Sequence, residues 1–121
     1  MNLKYRAITA NCGNSTLGET ATNSISNTVL EEKGDFYIIN CQEVDHAQTL
    51  AELKTSLINE KDYEVVMLNH MHTMTKPSEI LTGKTGIATF CIYNKKNLDL
   101  EITDKKDVRR RPFNHEVQQW L

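Results

Sequence analysis

Two polar side chains stand at the ends of apolar runs, and their types suit divalent-metal and phosphate chemistry. Asn11 follows the run from Tyr5 to Ala10, and Glu43 follows the run from Phe36 to Cys41, one residue after Gln42. Each run reads as a buried strand, so each polar residue is carried at the end of a rigid element. A carboxylate so placed is a ligand for a hard cation such as Mg²⁺ or Mn²⁺. Mg²⁺ takes one or two carboxylates and fills its other positions with water and phosphate oxygens. The Asn11 amide can donate to a phosphate oxygen and accept from a metal-bound water. The plainer reading of Gln42 and Glu43 is a pair of polar residues opening a loop.

The elements that must position these residues follow from periodicity. Leu3 to Ala10 reads as a first strand, followed by a polar loop from Asn11 to about Gly18. Asn23-Ser24 caps a short helix through Lys33, with Ile25, Val29 and Leu30 on one face and Gly34 as its stop. Phe36 to Cys41 is apolar throughout except at Asn40, the pattern of a strand covered on both faces. Asp45 opens a second helix in which Ala47, Leu50, Ala51, Leu53, Leu57 and Ile58 recur at helical spacing. Glu64 to Leu68 reads as a short third strand, Asn69 to Lys84 as a long loop, and Thr85 to Tyr93 as a fourth strand. Leu98, Leu100 and Ile102 alternate with polar residues, which predicts a fifth strand with one wet face. The expected order is therefore β-α-β-α-β-β-β.

These residues bear a resemblance. Thr9-Ala10-Asn11, then Gln42-Glu43-Val44, then Gly83 to Phe90 resemble in order the opening motifs of the endonuclease/exonuclease/phosphatase superfamily. That group includes deoxyribonuclease I, neutral sphingomyelinases and inositol polyphosphate 5-phosphatases. Ala10 stands where the family's Thr-Trp-Asn motif has Trp. The resemblance implies the N-terminal half of a four-layer α/β sandwich, with a mixed sheet and helices on one face. It further implies Mg²⁺- or Mn²⁺-dependent cleavage of a phosphoester in an inositol phosphate, a phospholipid or a nucleic acid. Glu43 would be the metal ligand and Asn11 the catalytic residue beside the scissile phosphate. His72 and Lys84 would sit on the substrate rim.

Residues 1–121 then form one partial domain. The family's second half supplies an Asp-X-Asn pair and a terminal Ser-Asp-His, and neither string occurs here. The expectation is an N-terminal fragment that does not turn over alone. A half sandwich leaves one sheet face uncovered, with Ile38, Val66 and Phe90 as candidates for it. Self-association as a two-fold dimer would cover that face. The competing reading is a non-catalytic protein-interaction module that keeps the fold and binds through the open face or through Arg109-Arg110-Arg111.

Composition narrows the classes further. Lys and Arg number 14 against 16 Asp and Glu, so no general basic field favours nucleic acid. The three arginines at 109–111 read as a solvated segment or as an anion contact. Cys12, Cys41 and Cys91 lie far apart beside apolar runs, the pattern of reduced, buried thiols. The N-terminus lacks a secretory apolar core and no apolar stretch approaches about 20 residues, so a cytoplasmic location is expected. His70 and His72 could face one way on a strand, but two imidazoles are too few for a zinc or copper site. Gly83-Lys84-Thr85-Gly86 lacks the first glycine of a phosphate loop and leads into a strand. Met67, Met71 and Met74 read as packing residues.

Overall fold

The computed structural model describes residues 2–72 and 86–100. Its elements are β1 (Tyr5–Ser15), α1 (Glu19–Glu32), β2 (Phe36–Val44), α2 (His46–Ser56), β3 (Tyr63–His72) and β4 (Gly86–Asn94). The strands form one mixed sheet in the order β1-β2-β4-β3. β1 and β2 run parallel, joined by the crossover through α1, while β4 is antiparallel to both β2 and β3. Leu98 to Leu100 form no strand, and the rest of the expected fifth strand lies outside the described residues.

One face of the sheet packs beneath both helices. Tyr37, Ile39 and Cys41 of β2, Ala88, Phe90 and Ile92 of β4, and Tyr63 and Val65 of β3 make a single buried cluster with Ile25, Val29 and Leu53. Alternation along the strands sends Ile38, Val66 and Ile87 to the other face, because successive side chains point to opposite sides. Ile38 and Val66 are half-buried there and Ile87 is exposed, while Cys91 and Tyr93 on the same face are buried. Phe90 is not among them: it is fully buried under the helices, one residue out of phase with Ile87.

Every strand but the first begins close to its expected start, and three run further than the apolar pattern shows. β1 continues to Ser15 through a bulge in which Gly13 and Asn14 both take positive φ, after which Ser15 pairs with Val44. β3 continues to His72, so His70 and His72 lie on a strand rather than in a loop. Backbone pairing keeps Asn11 and Gln42 in the ladder while their side chains stay exposed.

α1 starts four residues before the expected cap. Gly18, at φ 92, is its N-cap, and Thr22 donates its backbone N–H to Gly18 O at 2.9 Å. Asn23 and Ser24 lie inside the helix, where their carbonyls accept from the hydroxyls of Ser26 and Thr28. The helix stops at Lys33, which takes the left-handed conformation and donates to Val29 O. Gly34 serves packing instead: its N–H donates to Tyr37 Oη at 2.8 Å and its carbonyl accepts from Tyr63 Oη at 2.7 Å.

α2 opens as its sequence predicts, with the Asp45 carboxylate accepting from Gln48 N. Its buried stripe differs. Thr49 and Leu53 are fully buried, with Leu57 next in line, whereas Ala47 and Ala51 are exposed and Ile58 is 76 % exposed in the turn beyond the helix. Thr49 is accommodated because its hydroxyl accepts from Leu17 N at 3.1 Å. No helix among the described residues is long and apolar enough to cross a membrane.

Candidate functional site

The parallel pairing of β1 with β2 brings the carboxyl-terminal ends of both strands to one edge of the sheet. Asn11 pairs with Gln42, and Glu43 follows immediately. Asn11 Nδ2 donates to Glu43 Oε2 at 2.7 Å, and both side chains are exposed. The Asn11 amide is oriented by a second bond, since its Oδ1 accepts from Gly13 N at 2.9 Å. That assignment sends the amide nitrogen to Glu43 and leaves its second hydrogen for another acceptor.

The backbone here is strained. Glu43 has φ 50, a left-handed conformation that costs a residue with a Cβ about 1–2 kcal/mol. Gly13 at φ 58 and Asn14 at φ 62 lie in the facing bulge. Three left-handed residues thus meet at the point where two polar side chains meet. Such clustering is common at functional sites, where surrounding structure holds an unfavourable conformation.

His72 lies further along the same edge. Gln42 and Met71 both pair with Ile87, so the His72 backbone, opposite Gly86, is one step beyond. It stands level with Glu43 across two strand spacings, about 10 Å. Lys84 lies outside the described residues, as do Arg109, Arg110 and Arg111. Sequence reasoning missed His46, the first residue of α2, whose ring stacks on His70 with centroids 4.2 Å apart and planes 8° from parallel. The signal for it was the place of His46 three residues after Glu43. Among the described residues, no three His, Cys, Asp or Glu side chains gather as a metal cage.

The cysteines flank the site from below. Cys12 follows Asn11 and Cys41 precedes Glu43 by two residues, and both pack into the core on the helix-covered face. Burial pushes the Cys41 thiol up to about 12, with the Cys12 neighbour adding to the rise. Burial also raises Cys12, the less enclosed of the two. Both are protonated at neutral pH and make poor nucleophiles. Comparison with protein-family models, with curated proteins and with solved structures finds no match to the chain.

Proposed function

We propose that Glu43 and Asn11 are the metal-side half of a Mg²⁺- or Mn²⁺-dependent phosphoesterase site. The observation that carries this reading is the 2.7 Å hydrogen bond between them at the ends of two adjacent parallel strands. The donor set fits a hard divalent cation. One exposed carboxylate, steadied by an amide, offers an oxygen, and water and phosphate oxygens complete the shell. Bound there, the cation would supply Lewis-acid polarisation of a phosphoryl oxygen. Glu43 holds the cation. Asn11 fixes the rotamer of Glu43 through one amide hydrogen and offers the second to a phosphoryl oxygen of the substrate.

This is half of a site. Nothing in the 121 residues corresponds to the Asp-X-Asn and Ser-Asp-His strings that activate water in the resembled superfamily. Glu43 and Asn11 alone are expected to bind metal and phosphoester without turnover. In the full reading, a second sheet packs on the face bearing Ile38, Val66 and Ile87, completing a four-layer sandwich. Inositol phosphates and phospholipids suit the near-neutral charge better than duplex nucleic acid does.

The test is a calorimetric titration with Mn²⁺ and with Mg²⁺, in the presence and absence of a phosphate diester. Saturable binding that is lost in Glu43→Gln and weakened in Asn11→Ala supports the assignment. Binding that survives Glu43→Gln overturns it.

A second reading rests on the sheet face opposite the helices. Ile87 is 42 % exposed in a central strand, and Tyr5, 65 % exposed, stacks on Phe36 at 4.9 Å along the same side. A non-catalytic module would use this surface for a partner or a second copy of the chain. Partner binding that is indifferent to Glu43→Gln but lost in Ile87→Lys favours it.

A further inference from the structure

β1 is the outer strand of the sheet and, among the described residues, pairs only with β2. Lys4 O accepts from Asp35 N and Phe36 N where that pairing starts. In a ladder, alternate residues turn their backbone groups toward the neighbouring strand. Arg6, Ile8 and Ala10 therefore face β2, and the N–H and C=O groups of Tyr5, Ala7 and Thr9 face away from it. The side chains of these three residues are exposed as well, Tyr5 at 65 %.

Exposed edges are ordinarily guarded by charges, proline or a bulge. The strand holds no proline, and its bulge at Gly13 and Asn14 comes after this stretch. The two nearby cations are drawn off the edge toward the end of α1. Lys4 Nζ donates to Glu32 O at 2.7 Å, and Arg6 Nε donates to Glu32 Oε1 at 3.1 Å. The Tyr5 ring stacks on Phe36 with planes 5° apart, and Leu3, just before the strand, is 44 % exposed. A braced, exposed tyrosine beside outward-facing backbone groups is an anchor for an added strand.

We propose that this edge binds β1 of a second copy of the chain, antiparallel, about a two-fold axis at Ala7, joining two four-stranded sheets into one. Symmetry and charge select that register. Pairing Tyr5 with Tyr5 would set Lys4 against Arg6 of the second copy, and like charges directly opposite repel. Pairing Thr9 with Thr9 would set Tyr5 against Gly13, inside the bulge at φ 58. Pairing Ala7 with Ala7 avoids both. It sets Tyr5 against Thr9 of the second copy, a favourable aromatic and β-branched pair, and lays the Arg6 methylenes along Ile8. It also brings Leu3 of the second copy beside Asn11. The interface does not rest on the phosphoesterase reading, and its test is indifferent to Mn²⁺.

The experiment combines sedimentation equilibrium with amide exchange on the full chain. The expected result is a dimer in which higher chain concentration slows exchange at Tyr5, Ala7 and Thr9. Arg6 and Ile8, already bonded to β2, should be unchanged. Ala7→Pro removes an outward N–H and leaves the β2 ladder intact, a change that edge strands tolerate, and should weaken the dimer about tenfold or more. Ala7→Cys should form a symmetric disulfide under mild air oxidation, because directly paired residues have Cα atoms about 5.5 Å apart, within disulfide reach. Tyr5→Cys, far from its own counterpart in this register, should not. Ile87→Lys, on the sheet face, should remain dimeric. A monomer at high concentration, protection that does not alternate along β1, or a dimer lost in Ile87→Lys but kept in Ala7→Pro would each overturn the proposal.

Discussion

Asn11 and Glu43, 32 residues apart in the chain, are joined by a 2.7 Å hydrogen bond across the β1–β2 pair. The bond exists because the two strands run parallel and because Glu43 accepts a left-handed backbone at φ 50. Glu43→Gly should leave stability within about 1 kcal/mol of the parent, because relief of the strain offsets the greater chain entropy of glycine and one exposed hydrogen bond lost. The same substitution should abolish the response to Mn²⁺. Chemical denaturation with and without the metal reads both effects, and a clear loss of stability would show that the conformation is not strained.

Gly34 is required by contact rather than by its own dihedral angles. A Cβ added there would lie 2.6 Å from Tyr37 Oη, 2.9 Å from Tyr37 Cζ and 3.2 Å from Lys4 O. Gly34→Ala should therefore destabilise the fold by about 2 kcal/mol, in the range for overpacked sites. Adding Tyr37→Phe removes the nearest atom and should recover part of that loss. Urea unfolding of the single and double variants tests the coupling.

Arg6 and Glu32 tie the edge strand to the end of α1, with Arg6 Nε donating to Glu32 Oε1 at 3.1 Å and a second bond from Nη2 to Oε2. The hydrogen bond from Arg6 holds the Glu32 carboxyl below the usual glutamate range, with the arginine charge contributing. A depressed folded-state value means that the contribution is present above the unfolded value, near pH 4.3, and fades as pH falls through the folded one. Arg6→Ala should thus be less stable than the parent at neutral pH, and the gap should close in acid. Melting curves collected between neutral pH and strong acid follow that closure.

The thiols should separate by accessibility. Cys41 and Cys91 are buried and Cys12 is half-buried, and burial raises all three. At mildly alkaline pH the native chain should lose one thiol, Cys12, to an aromatic disulfide reagent, more slowly than a free cysteine reacts. All three should react in denaturant. Peptide mass mapping identifies the modified residue, and rapid labelling of Cys41 in the native state would contradict its place beneath the helices.

Ile87 tests the sheet face opposite the helices. It stands in β4, between β2 and β3, and pairs with both Gln42 and Met71. If two copies associate through this face, Ile87→Lys should return the chain to a monomer in sedimentation equilibrium with little loss of stability, since the side chain is already 42 % exposed. A parent chain that is monomeric at high concentration would exclude that association.

The strands β2 and β4, the Asp45 cap and the candidates Asn11 and Glu43 were legible in the chain. Continuous apolar runs mark central strands, and a short side chain before a helix marks its start whatever surrounds it. Those signals are local. The true start of α1 was hidden because Asn23 and Ser24 are good caps by residue type, while the glycine at 18 acts through a dihedral angle that no letter states. Thr49 was missed as core because its hydroxyl is satisfied by Leu17 N, on a segment more than thirty positions away. Phe90 and Ile87 differ by an odd step along one strand, and only the placement of the helices decides which is buried.

Sequence alone thus determined which segments bury and which polar residues stand at their ends, since burial and capping are written in neighbouring side chains. Tertiary structure alone decided that β1 lies parallel beside β2, that Asn11 holds Glu43, and that α1 and α2 share one face of the sheet. Those relations depend on strand pairing and helix placement between residues far apart in the chain, and free energy summed over the whole molecule selects them.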